Sequence, residues 1–239
     1  PAEEFGDGGR VDLLDGLPRT TRGEVDLLNL LPVGSQSPPM VVGDTVIVGS
    51  TINDRALTRE APPGWVRAYD ARTGRHKWDF HTVPQSPDEL GADTWLNDSW
   101  RYSGNTNVWS LMSADNELGF VYLPIGTATN DYYGGARLGD NLFAESLVAV
   151  DLHTGERRWH YQLVHHGIWD HDLPCAPILL DIMVDGEMDA GAWSCGMVAG
   201  LIYDIPTCKE LVDRIMNEAH EIIEDRLRGF LGTKTAATA

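Results

Sequence analysis

One pattern occurs twice in this chain and restricts the possible folds more than any other feature. Ala-x-Asp-x-x-Thr-Gly-x-x-x-Trp spans residues 68–78 and returns at residues 149–159. Each of its positions has a mechanical use. The Asp and Thr side chains bond to turn backbone, Gly takes a positive-φ position, and the Trp packs between neighbouring sheets. Strand–turn–strand units that end in a docking tryptophan point to a β-propeller, where each blade takes about 40–50 residues. The two copies lie 81 residues apart, nearly two blade lengths, so the spacing predicts a further degenerate blade between them. Asn107–Pro124 is the expected source, with Asn107-Val108-Trp109-Ser110 and Gly119-Phe120-Val121-Tyr122-Leu123 as strands around Asp115-Asn116.

Composition agrees with many short strands: 8 Trp stand among 25 Gly and 13 Pro. Hydrophobic and charged shares of 42% and 23% are those of a globular protein. Acidic residues outnumber basic ones 36 to 18, for a net charge of -18, which argues against nucleic acid or an anionic membrane as partner. No apolar run approaches the length of a membrane span. The chain opens at Pro1 instead of Met, which leaves room for an upstream segment. Cys175, Cys195 and Cys208 form neither a metal pattern nor a disulfide framework.

Along the chain, residues 1–38 read as irregular with one edge strand near Val25–Leu31. Met40-Val41-Val42 and Thr45-Val46-Ile47-Val48 read as a hairpin around Gly43-Asp44, and residues 50–63 as a loop at the strand end. From about residue 185 the pattern changes. Thr207 and Glu210 form a capping box, and Leu211, Ile215, Ala219, Ile222, Ile223, Leu227 and Phe230 recur at helical spacing. A long helix at the end of an all-β chain suggests two joined pieces, residues 1–184 and 185–239.

The stretch Val164–Pro174 holds three histidines, two aspartates and a tryptophan. A transition-metal site from His165, His166 and His171 with Asp170 and Asp172 is disfavoured, because adjacent strand residues face opposite ways. Taken alone, Asp170 reads as a turn or capping residue and Trp109 as core.

Together, the repeat, Asn105–Ser110, Asn130–Gly135, Gly139–Val148 and His165–Asp172 resemble the quinoprotein dehydrogenases that use pyrroloquinoline quinone (PQQ), on their glucose and alcohol dehydrogenase branches. The resemblance covers roughly residues 10–184. It implies a mainly β fold, part (about half) of an eight-bladed propeller, with PQQ and a divalent cation, calcium in most cases, in the central funnel. It further implies Asp170 as general base and metal neighbour, Trp109 as the indole stacked on the cofactor, and Asn107 as a polar cofactor contact. Gly126-Thr127 stands where the family has Gly-Asn with a metal-ligating Asn, so Thr127 departs from the pattern. Asn53 and Asp54 fall near a further cofactor or metal position. A sugar or alcohol substrate, a quinone or cytochrome electron acceptor and a periplasmic location belong to the same implication. Ala192–Ile202 and the helix after it are similar to the C-terminal end of nitronate monooxygenases. No flavin is expected, because a flavin site needs loops from several barrel strands. The competing reading is a non-catalytic repeat scaffold, or an inactive fusion or fragment.

Overall fold

A computed structural model describes residues 2–20, 33–52, 59–184 and 187–193, together with Glu210, Asp213, Arg214, Met216, Asn217 and His220. The chain divides into two compact units, residues 1–197 and 198–239. In the second unit the six described residues are helical and exposed, within the segment where apolar spacing predicts a helix. The expected strand at Val25–Leu31, and the tail from Ser194 to Cys208 with Cys195 and Cys208, lie outside the described residues.

The first unit is built from antiparallel strands. β1 (Val33–Gly34) pairs with β4 (Thr51–Ile52). A four-stranded sheet follows with order β2-β3-β5-β6, formed by Met40–Val42, Thr45–Val48, Val66–Asp70 and His76–Phe80. A second has order β10-β9-β8-β7, formed by Arg157–Gln162, Ser146–Asp151, Phe120–Pro124 and Ser113–Asp115. Last among the described strands, β11 (Ile178–Val184) pairs antiparallel with β12 (Glu187–Trp193), so paired strands stand on both sides of position 185, where the sequence changes character. Each four-stranded sheet is a meander, the arrangement of a propeller blade.

Both copies of the repeated pattern fold alike. Asp70 Oδ1 accepts the Arg72 and Thr73 N–H groups at 3.1 and 2.8 Å, and Asp151 Oδ1 accepts those of His153 and Thr154, both at 2.9 Å. Gly74 and Gly155 close the turns at φ 70° and 72°. The Arg158 guanidinium, 2.6 Å from Asp151, together with the turn bonds outweighs the slight burial of that carboxyl and holds it at about 2.

Trp78 then fastens the first sheet to the second. Its indole N–H donates to Leu152 O at 3.0 Å, and its ring lies so close to Gly155 that a Cβ there would stand 2.7 Å from it. The main core fills the same interface: Ile47, Val66, Phe80, Val121, Leu123 and Val148 are all buried in one cluster.

Two expectations are corrected by this topology. The repeats sit in neighbouring sheets, not in alternate ones, because Ser113–Pro124 supplies β7 and β8 of the same sheet that holds the second repeat. Asn107–Ser110 is not a strand of its own. The spacing is inflated by the passage from β6 to β7, which carries 3₁₀ turns at Ala92–Thr94 and Leu96–Arg101. That passage has a small core of its own around Val83, Trp95 and Trp100. Consequently the described residues hold two four-stranded blades and two strand pairs, β1 with β4 and β11 with β12, as part of a propeller.

An acid-sensitive tie lies on the first sheet. Burial would raise the Asp79 carboxyl, but hydrogen bonds from Arg67 and His76, both at 2.8 Å, outweigh it and hold the group below its ordinary value. A carboxyl with a folded pKa below its unfolded one stabilises the fold above about pH 4 and loses that contribution as pH falls through the folded value. Asp79→Asn is expected to shrink the difference between urea midpoints at pH 6 and pH 3. An unchanged difference would show that this tie does not shape acid stability.

Candidate functional site

One irregular segment binds the two sheets at one end. Ser50 N–H donates to Val108 O (3.0 Å) and Gly64 N–H to Asn105 O (2.7 Å), which ties residues 105–108 to the first sheet. On the other side Thr106 N–H donates to Thr127 O and Gly126 N–H to Asn107 O, both at 2.9 Å. The approach is so close that a Cβ at Gly64 would stand 2.3 Å from Asn107 Cα. Only glycine leaves room for backbone at that distance.

Asp172 is the carboxylate that this segment and the β8 end hold between them. Trp109 donates its indole N–H to Asp172 Oδ2 at 2.7 Å. Thr127 donates its backbone N–H to Oδ1 at 2.7 Å, with its hydroxyl 3.2 Å from the same oxygen. Short N–H bonds to an ionised acceptor are of the stronger kind. Asn107 is buried, anchored by Nδ2 to Ser50 O at 2.8 Å. A Cβ added to Gly126 would stand 3.4 Å from Asn107 Oδ1 and 2.4 Å from Asp172 Oδ1, so both oxygens face the same bare backbone. Trp109 itself is half-buried and borders a shallow cleft with Ser37, Gly49, Ser50 and Met112.

Gly126→Ala would therefore push the Asp172 carboxylate by about 1 Å to restore ordinary contact distance. The Trp109 indole N–H resonance should shift with it. An unmoved resonance would mean that the strand end absorbs the methyl without disturbing Asp172.

Asp170 is placed differently. It sits at φ 56°, exposed, and its Oδ2 accepts the Tyr132 hydroxyl at 2.9 Å. The aromatic rim around it is open: Trp169 and Tyr132 are 72% and 70% exposed. Of the residues expected from sequence, the structure brings Trp109, Thr127 and Asn107 together, and the carboxylate bonded among them is Asp172. Asn53 and Asp54 lie outside the described residues. The histidines diverge. His165 faces Asp140 at 3.6 Å, His166 Nδ1 faces Gly139 O at 2.8 Å, and His171 is exposed. Among the described residues no three His, Cys, Asp or Glu side chains converge on one point as a metal cluster.

Beneath the cluster lie two buried charges that sequence reasoning passed over, Arg137 and Glu145. Burial pushes the Glu145 carboxyl up, and the nearby Arg137 charge pulls it partly back. Burial likewise lowers the Arg137 guanidinium. Glu145 Oε1 is 3.4 Å from the Thr127 hydroxyl, which links this lower layer to Asp172.

Comparison with known proteins agrees with the propeller fold. Residues 1–192 match the family described as PQQ: glucose/ethanol/alcohol dehydrogenase, beta-propeller domain. The quinate/shikimate dehydrogenase (quinone) of Acinetobacter baylyi is 36% identical over 203 residues, 84% of this chain and 24% of that protein. The quinoprotein glucose dehydrogenase of Escherichia coli K12 is 33% identical over 187 residues, 77% of this chain and 22% of that one. Among solved structures, quinohemoprotein alcohol dehydrogenase from Comamonas testosteroni superposes with a TM-score of 0.55 at 31% identity, over 64% of this chain and 24% of its own. The chain thus spans under a quarter of the length of these relatives. With a family match across most of its length, two blades joined by a docking tryptophan and a carboxylate–indole pair at their shared end, the chain belongs to the PQQ-dependent glucose/ethanol/alcohol dehydrogenase β-propeller family.

Proposed function

We propose that the protein takes part in oxidising the hydroxyl of a sugar or alcohol, with PQQ as hydride acceptor and a divalent cation, calcium by family resemblance, beside it. The observation that carries this reading is the Trp109 indole N–H bonded to the Asp172 carboxylate at 2.7 Å, with the ring half-exposed next to it. A flat aromatic face suits a conjugated planar cofactor, and a fixed carboxylate at its edge suits a cation.

The donor chemistry fits a hard cation. Asp172, Thr127 Oγ1 and Asn107 Oδ1 offer oxygen only, which is what calcium selects. Gly126, having no Cβ, lets the Asp172 carboxylate come against its backbone, where a Cβ would stand 2.4 Å from Oδ1. These three residues would hold the cation, and Trp109 would hold the plane of the quinone. Bound there, PQQ supplies the two-electron chemistry and the protein supplies orientation and electrostatics.

Asp170 is assigned the proton-accepting role. It lies two residues from Asp172 on the same loop, at the open aromatic rim, where a substrate hydroxyl can reach its carboxylate. The left-handed backbone at Asp170 (φ 56°) is the kind of local irregularity that accumulates at functional sites. The Tyr132 hydroxyl, donating to Oδ2, leaves Oδ1 to take the proton. Electrons then pass to a quinone or a cytochrome, and a periplasmic setting follows the family resemblance. Among the described residues no helix is long and apolar enough to cross a membrane.

Titration of the protein with PQQ in the presence of calcium, followed by dye reduction with glucose, glycerol or ethanol, tests this reading. Calcium-dependent uptake of the quinone and substrate-dependent dye reduction are expected. A folded protein that takes up no quinone would instead be the non-catalytic scaffold.

A further inference from the structure

The chemistry above leaves the buried Arg137 and Glu145 without a task, although both are fully buried. Arg137 Nη2 donates to Gly167 O at 2.6 Å and to Asn130 O at 3.0 Å, and Nη1 to Asn141 Oδ1 at 2.8 Å. Glu145 presses against Gly167 from the other side, where an added Cβ would stand 1.7 Å from Oε2. The backbone N–H and ring of His171, the neighbour of Asp172, also act on that carboxyl, drawing it down against its burial. The loop 167–172 is thus gripped at its start by Arg137 and Glu145 together.

Glu145 also reaches the ligand side of the site. Its Oε1 is 3.4 Å from Thr127 Oγ1, and that hydroxyl is 3.2 Å from Asp172 Oδ1. A threonine has one hydroxyl hydrogen to give. If the hydrogen goes to Asp172, the Thr127 lone pairs point away from any cation held there. If it goes to Glu145, they turn toward it. A carboxylate behind the threonine therefore decides whether Thr127 works as a ligand at a position where the family pattern has asparagine. Glu145 Oε2 has no hydrogen-bond partner among the described residues. An ionisable group buried with an oxygen unpaired is costly, which simple packing does not explain.

We propose that Glu145, fixed in place with Arg137, is a positioning residue: it accepts the Thr127 hydroxyl hydrogen, turns the Thr127 oxygen toward the cation, and holds the loop that delivers Asp172. The proposal rests on the quinone reading of this end of the sheets. Groups that orient metal ligands from behind change metal affinity by about 10–100-fold when removed, so Glu145→Gln is expected to raise the calcium midpoint for PQQ uptake about tenfold.

The test combines that titration with ¹⁵N spectra of the tryptophan indoles, Trp109 being assigned by its loss in Trp109→Phe. In Glu145→Gln the Trp109 N–H resonance should move while that of Trp78 stays. Thr127→Val should weaken uptake alike, and the losses should be less than additive in the double variant, since both act on one hydroxyl. A Trp109 resonance identical to that of the unmodified protein, or strictly additive losses, would overturn the proposal. Should Glu145→Gln fail to fold, Glu145→Asp keeps the charge but withdraws it from Thr127 and should give the same shift. Failure of both to fold would make the pair purely structural, against the proposal. Absence of quinone uptake by the unmodified protein would remove the quinone reading, while the Trp109 resonance still decides whether Glu145 governs Asp172.

Discussion

Asp172→Asn is expected to raise the calcium and PQQ concentrations needed for half-saturation by at least about a hundredfold. Asp172 accepts two N–H bonds of 2.7 Å, from the Trp109 indole and the Thr127 backbone. Bonds to a charged group are worth about 1.5–3 kcal/mol each. An asparagine keeps one oxygen and must turn its NH₂ toward one of those donors, so the loss is roughly 3 kcal/mol, or about a factor of a hundred in affinity. The missing negative charge beside the cation adds to this. Asp170→Asn should behave in the opposite way. With its carboxylate at the exposed rim, quinone uptake should stay within about threefold while turnover falls by about 10²–10⁴, the range of general-base catalysis. If the two substitutions exchange phenotypes, the roles of the two aspartates must be exchanged as well.

Trp78→Ala is expected to produce the largest loss of stability, about 3–5 kcal/mol, as for other large aromatic residues truncated in a core. The indole fills the seam between the sheets, 5% exposed, and its N–H is bonded to Leu152 O at 3.0 Å. Trp78→Phe keeps most of the packing and should cost nearer 1 kcal/mol beyond its lost volume, for the orphaned carbonyl. Trp159 occupies the same place in the second repeat but is only half-buried, tilted against Tyr122 with ring centroids 6.0 Å apart. Its truncation should therefore cost less than that of Trp78. Urea unfolding of the three variants measures the differences. A loss below about 1 kcal/mol for Trp78→Ala would show that the sheets are not joined through this residue.

The turn of the repeat was legible in the sequence because what it does is local. An Asp that caps a turn and a Gly at positive φ produce the same turn in both copies, Asp70–Gly74 and Asp151–Gly155, whereas the two tryptophans pack differently. Blade count was not legible from spacing. The passage 81–112 folds around Trp95 and Trp100, and so lengthens the interval without adding a sheet. The position of Asp172 was hidden for a related reason. Alternation along a strand assigns faces to successive residues, but the stretch from His166 to Asp170 is irregular, with φ 51° and 56° at its two ends. Which of two aspartates faces Trp109 then depends on tertiary contacts alone. Glu145 left even less trace: it precedes β9 among apolar residues, and a fully buried glutamate is contrary to ordinary expectation. Its signal was the glycine at 167, which only the folded chain shows to be pressed against it.

The central claim is that Trp109 and Asp172 form one wall of a quinone site at the shared end of two blades. Quenching of tryptophan fluorescence by PQQ, measured with and without calcium in the unmodified protein and in Trp109→Phe, tests it most directly. Calcium-dependent quenching that disappears in Trp109→Phe is predicted. Quenching that persists undiminished in that variant, or no quenching by PQQ at all, would contradict it.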